Sequence, residues 1–107
     1  MDRSEVIEFF FNALENLKEG EQKYIRSTGG TLRELRNYLR SLDTFNHSCY
    51  FFFIYKSRVY LVIIDVYNSY LRLDSITSHP LFEERYFRYM HQPRNFLWID
   101  ISKDEEE

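Results

Sequence analysis

The stretch Cys49-Tyr50-Phe51-Phe52-Phe53-Ile54-Tyr55-Lys56-Ser57-Arg58-Val59-Tyr60-Leu61-Val62-Ile63-Ile64-Asp65-Val66 decides the fold. Two β-rich segments, 49–55 and 59–66, are separated by Lys56-Ser57-Arg58 alone, so the chain doubles back there and reads as a β-hairpin. The three-residue link carries neither Gly nor Asn-Gly, so the inference rests on the flanking strands and not on turn chemistry. Alternation places Phe51, Phe53, Leu61 and Ile63 on one face and Phe52, Ile54, Val62 and Ile64 on the other. A sheet wetted on one side carries polar residues at every second position, and these strands do not. They belong at the centre of a sheet, with helices against one face and other cover, a second copy of the chain included, against the other.

Toward the N-terminus, Asp2 followed by Glu5 fits a capping box and starts a helix. Val6, Phe10, Ala13, Leu14 and Leu17 form its apolar stripe, widened by Ile7, Phe9 and Phe11, and Gly20 is expected to end it. Residues 21–28 read as a loop with room for a short extended piece, broken again by Gly29-Gly30. Thr31 with Glu34 gives a second capping box and a second helix. Leu32, Leu35, Leu39 and Leu42 line one side of that helix, while Arg33, Arg36, Asn37 and Arg40 form a stripe on another.

Toward the C-terminus, Tyr67-Asn68-Ser69 reads as a turn into the strand Tyr70-Leu71-Arg72-Leu73-Asp74. Its clean alternation sets Leu71 and Leu73 inward and Tyr70, Arg72 and Asp74 toward water, as at a sheet edge. Ser78-His79-Pro80 opens a third helix whose apolar side is Leu81, Phe82, Tyr86, Tyr89 and Met90, and Pro93 stops it. Phe96 to Ile101 alternates as a last strand. The order predicts an α+β fold: a small, mostly antiparallel sheet of about four strands packed with two N-terminal helices and one later helix. Residues 1–103 form one domain, and the acidic run 104–107 is too charged to pack and is expected to be disordered.

Composition narrows the function classes. Nine Tyr and ten Phe among 107 residues are more aromatic side chains than a core of this size needs, which points to contact surfaces. The single Cys49 excludes an intrachain disulfide, and an intracellular setting follows. The apolar stretch is interrupted by Lys56 and Arg58, so neither a secretory leader nor a membrane span is expected. Net charge is −3, unevenly spread: residues 1–21 hold six acids and two bases, residues 22–60 two acids and seven bases, and the remainder nine acids and five bases.

The residues of the chain do not assemble into a catalytic constellation in the sequence. Cys49 lies two residues from His47, a spacing that can share a strand face, but it reads as a buried structural cysteine. His79 and His91 bracket the third helix and stand too far apart to share a metal ion. Gly29-Gly30-Thr31 lacks the Lys and the spacing of a P-loop. Asp65 inside an apolar strand demands a partner, with an arginine or a tyrosine hydroxyl expected, and Asp100 lacks the supporting Glu and Lys of a nuclease.

The reading that remains is a small non-enzymatic interaction protein, without cofactor or metal, that binds another protein with an acidic surface and forms a homodimer. Arg33, Arg36 and Arg40 are the residues expected to meet the acidic surface, and Phe9, Phe11, Tyr67 and Tyr70 to supply apolar contact. Size and composition would suit a viral or phage accessory factor that inhibits a host protein. The alternative is a nucleic-acid-binding module that uses the same arginines with Lys23, Arg26, Lys56 and Arg58. Against it, removing the four terminal acids leaves only 14 bases against 13 acids.

Overall fold

The computed structural model describes residues 2–42, 48–76 and the backbone of 98–100. Its elements are α1 (Arg3–Glu15), β1 (Gln22–Arg26), α2 (Gly29–Leu42), β2 (Tyr50–Tyr55), β3 (Arg58–Asp65), β4 (Tyr70–Ile76) and β5 (Trp98–Asp100). The strands form one sheet in the order β1-β4-β3-β2-β5, antiparallel throughout except for the β2–β5 pair. The α+β class and the largely antiparallel sheet agree with the sequence. The third helix expected around Leu81–Met90, the loop 43–47 and the tail 104–107 lie outside the described residues.

The hairpin turns on two residues, not three. Tyr55 pairs with Arg58, and Lys56 and Ser57 hold φ of 49° and 64°, the left-handed pair of a type I′ turn. Losing one residue from the loop shifts the register by one and exchanges the faces of a strand. Phe51 therefore stands opposite Val62 and Phe53 opposite Tyr60, whereas Phe52 stands opposite Leu61. The expected grouping of Phe51 and Phe53 with Leu61 and Ile63 is corrected accordingly.

Both helices cover the face bearing Phe51, Phe53, Tyr55, Tyr60, Val62, Ile64, Leu71 and Leu73. From α1 come Val6, Phe10 and Leu14, followed by Leu17; from α2 come Leu32, Leu35 and Leu39, all buried. Phe10 meets Phe53 edge to face at 5.5 Å, and Phe11 packs against Tyr55 at 4.9 Å. Each such side chain contributes roughly 1.5–3 kcal/mol by leaving water. On the opposite face Phe52 and Leu61 are fully buried within the single chain, so no second copy is required to cover them.

Helix ends differ from expectation in instructive ways. Asp2 caps α1 as expected, its Oδ1 accepting from Glu5 N–H at 2.9 Å. The helix stops at Glu15 and not at Gly20, with Asn16 as its C-cap, and the hairpin binds the chain at this end. Tyr55 and Lys56 both donate to Glu15 Oε1, at 2.6 and 2.7 Å, and Arg58 donates to the Leu17 carbonyl at 3.1 Å. The last turn of α1 holds no base of its own, so the sheet supplies the cations that its negative end favours. The α2 cap is Thr28 and not Thr31: Thr28 Oγ1 accepts from Thr31 N–H at 3.2 Å, and the helix begins at the two glycines.

The segment 21–28, read as a loop with room for a short extended piece, holds β1, a five-residue edge strand. Strand β4 consequently lies inside the sheet, between β1 and β3. Asp74, expected in water, is completely buried and held by Arg72 through a two-point bond, Nε to Oδ1 at 3.0 Å and Nη2 to Oδ2 at 2.7 Å.

Candidate functional site

Helix α2 and the far end of β3 enclose an open cleft of about 630 Å³, lined by Arg33, Arg36, Cys49, Ile63, Ile64, Asp65, Val66 and Tyr67. The periodicity of α2 puts it there. With Leu32, Leu35 and Leu39 against the sheet, Arg33 and Arg36, one turn apart, are carried along the flank that overlooks the end of β3. The other wall is anchored where Ile64 N–H donates to the Cys49 carbonyl at 2.8 Å.

Tyr67 sits at the rim with 95% of its surface exposed, on the loop of residues 66–69 between β3 and β4. Asp65 fixes that loop. Its Oδ1 accepts from Asn68 N–H and its Oδ2 from the Asn68 side-chain amide, each at 2.9 Å, and Ser69 takes a φ of 58° to enter β4. The Asn68 side chain first, and then the Asn68 backbone N–H, hold the Asp65 carboxyl below its ordinary pKa. Tyr70, the register partner of Asp65, adds to this lowering, and burial first, then the Asp65 charge, raises the Tyr70 phenol. Of the partners expected for Asp65, a tyrosine lies opposite it in register, but its hydrogen bonds come from Asn68.

Neither Arg33 nor Arg36 has a hydrogen-bond or ion-pair partner among the described residues. Arg36 is half-buried, and its Nε has no exposed surface and no acceptor. The Arg33 guanidinium lies near the start of α2, where a Cβ on Gly29 would stand 3.6 Å from its Nη1. No acid occupies the first turn of that helix. A cation beside the positive end of a helix dipole is disfavoured, and an anion between Arg33 and Arg36 would relieve both.

The other sequence-derived residues go elsewhere. Arg40 turns inward and donates from Nη2 to the Ser48 carbonyl at 3.0 Å; burial first, then the charge of Arg36, lowers its pKa. Phe11 packs among Phe10, Tyr38, Phe53 and Tyr55, and Phe9 rests against the same core. Tyr70 lies on the sheet face away from the helices, its ring 5.5 Å from that of Tyr24. Cys49, expected to be buried, is exposed. His47, His79 and His91 lie outside the described residues. The sequence does carry a signal for the loop at the rim: Asp65, which lines the cleft, and Asn68, three residues on, have the spacing of an aspartate-stabilised turn.

Fold and cleft together describe a small α+β domain with a cationic groove at one end of its sheet. Comparison with family models, with curated proteins and with solved structures finds no match. No helix among the described residues is long and apolar enough to cross a membrane.

Proposed function

We propose that this chain is a small non-enzymatic interaction protein that binds an acidic protein surface through the cleft beside α2. The observation that carries the reading is the pair Arg33 and Arg36, two guanidiniums at one groove without a partner among the described residues, one of them with a buried Nε. A guanidinium in that condition is matched by a carboxylate, which accepts two parallel N–H bonds. Tyr67 at the rim offers a rigid aromatic surface beside the charge, the combination that concentrates binding energy at protein interfaces. Arg40 plays no part in it, being tied to Ser48.

The test uses a fluorescein-labelled decaglutamate peptide as the acidic probe, followed by anisotropy. The double reversal Arg33→Glu with Arg36→Glu removes two charge-assisted contacts worth about 1.5–3 kcal/mol each and should weaken binding at least about tenfold. The far-ultraviolet circular dichroism should not change, because neither side chain supports the fold. Equal affinity in the variant and the parent would overturn the proposal.

A further inference from the structure

Among the described residues strand β1 is an edge of the sheet, and its hydrogen bonding shows which main-chain groups it does not spend on β4. Ser75 N–H donates to the Glu21 carbonyl at 2.9 Å and Ser27 N–H to the Ser69 carbonyl at 3.1 Å. Bonded pairs alternate along an antiparallel ladder, so Lys23 and Ile25 spend their groups on β4, together with the Glu21 carbonyl and the Ser27 N–H, while the Glu21 N–H donates to the Lys18 carbonyl. The N–H and C=O of Gln22, Tyr24 and Arg26 point away from the sheet. All three residues are exposed, and Tyr24 keeps 58% of its surface in water.

We propose that β1 pairs antiparallel with β1 of a second copy about a two-fold axis through Tyr24, joining two sheets into one. The strand Gln22-Lys23-Tyr24-Ile25-Arg26 is complementary to itself in that register. Gln22, whose amide faces Arg72 of its own chain, stands opposite the second copy's Arg26, so no like charges meet there. Lys23 stands opposite the second copy's half-buried Ile25, over which its aliphatic stem can lie. Tyr24 meets Tyr24 across the axis, extending the Tyr24–Tyr70 contact into a row of four rings. Sliding by two residues one way opposes Lys23 to Lys23; sliding the other way sets Gln22 opposite Thr28, beyond the end of the strand.

Two features set the strength. A five-residue strand pair falls below the roughly 1,200 Å² of a standard interface, so the dimer is weak, with a dissociation constant in the micromolar range. Lys23 and Arg26 of both copies gather near the axis with no acid among the described residues bound to them. Their repulsion makes dimerisation strengthen as salt is added.

Sedimentation equilibrium from about 5 to about 500 µM should show a monomer–dimer equilibrium whose dissociation constant falls at least about threefold between 0.05 and 0.5 M salt, as screening removes the repulsion. In a Cys49→Ser background, Tyr24→Cys should oxidise to a covalent dimer, because residues paired this way sit about 5.5 Å apart at Cα, within disulfide range. Lys23→Cys should not cross-link, since its counterpart lies on the diagonal at about 7–8 Å. Tyr24→Pro deletes an N–H that the fold does not use, which an edge strand tolerates, and should give a folded monomer. Arg33→Glu with Arg36→Glu should leave the dimer unchanged, separating this surface from the cleft. A monomer at every concentration, or cross-linking as ready at residue 23 as at residue 24, would overturn the proposal even if the proline variant fails to fold.

Discussion

Replacing Ser57 with glycine should stabilise the protein, and the size of the effect follows from the turn. Ser57 holds a φ of 64° as the second central residue of the type I′ turn. An L-residue in the left-handed region costs about 1–2 kcal/mol, and glycine escapes it. Against that, glycine loses about 0.5–1 kcal/mol more conformational entropy on folding. The net gain is about 0.5–1 kcal/mol, or about 2–6 °C in melting midpoint for a domain of this size. Ser57 is the position to change, because the Lys56 side chain has work of its own: its ammonium bonds Glu15 at 2.7 Å and lies 5.2 Å from the Tyr55 ring centre. Urea unfolding followed by circular dichroism should show a raised midpoint with an unchanged slope. Ser57→Val should move the midpoint the other way, since a β-branched residue at positive φ is strongly disfavoured. A glycine variant that is no more stable, or a tolerated valine, would refute the two-residue turn and with it the assignment of Phe51, Phe53, Tyr60 and Val62 to the helix-covered face.

Other consequences are as direct. Asp74→Ala removes a fully buried carboxylate and the two-point bond it makes with Arg72; breaking such a pair costs about 3–5 kcal/mol when both partners are buried, and the 22% exposure of the Arg72 side chain reduces this to about 2–3 kcal/mol in urea unfolding. The lowered pKa of Asp65 means that its contribution is fully present above the ordinary aspartate value of about 3.9 and is lost as pH falls through the native value; Asp65→Asn should flatten that part of a plot of melting midpoint against pH.

The hairpin was legible in the sequence because two β-rich runs separated by three residues have no other way to pack. Its register was not, for a physical reason. Alternation fixes register when one face is polar, and here both faces of both strands are apolar, so nothing in the pattern distinguishes a two-residue from a three-residue loop. In β4 the opposite happened. Leu71 and Leu73 alternate cleanly and their inward face was read correctly, but Arg72 and Asp74 bind each other and so look, in sequence, like residues bound for water. Thr28 and Thr31 are three residues apart and chemically alike; Gly29-Gly30 between them looks like a break and is the first turn of the helix. The arginine stripe was legible as a stripe, but that Arg40 turns to Ser48 while Arg33 and Arg36 stay open depends on where β2 begins, which helix periodicity does not contain.

The basic middle of the chain reads as one feature and the fold divides it into three. Lys23 and Arg26 lie on the β1 edge, Arg33 and Arg36 at the cleft, and Lys56 and Arg58 at the hairpin, where they hold the end of α1. From Arg58 to Asp65 the strand β3 runs roughly 23 Å, so the hairpin cations and the cleft cannot share one short stretch of ligand. This separates the two readings of the arginines quantitatively. Each phosphate neutralised on duplex DNA contributes about −0.9 to the slope of log affinity against log salt, so a duplex gripped by all seven bases of residues 22–60, Arg40 among them, would show a slope of about −6, and one held by Arg33 and Arg36 alone about −2. With Lys56 bonded to Glu15, Arg58 to Leu17 and Arg40 to Ser48, at most four of the seven bases stay open, so this arrangement allows a slope no steeper than about −4. A duplex that bound with the steep slope would have to pull those three side chains from their partners, and would be the stronger reason to abandon the acidic-protein reading.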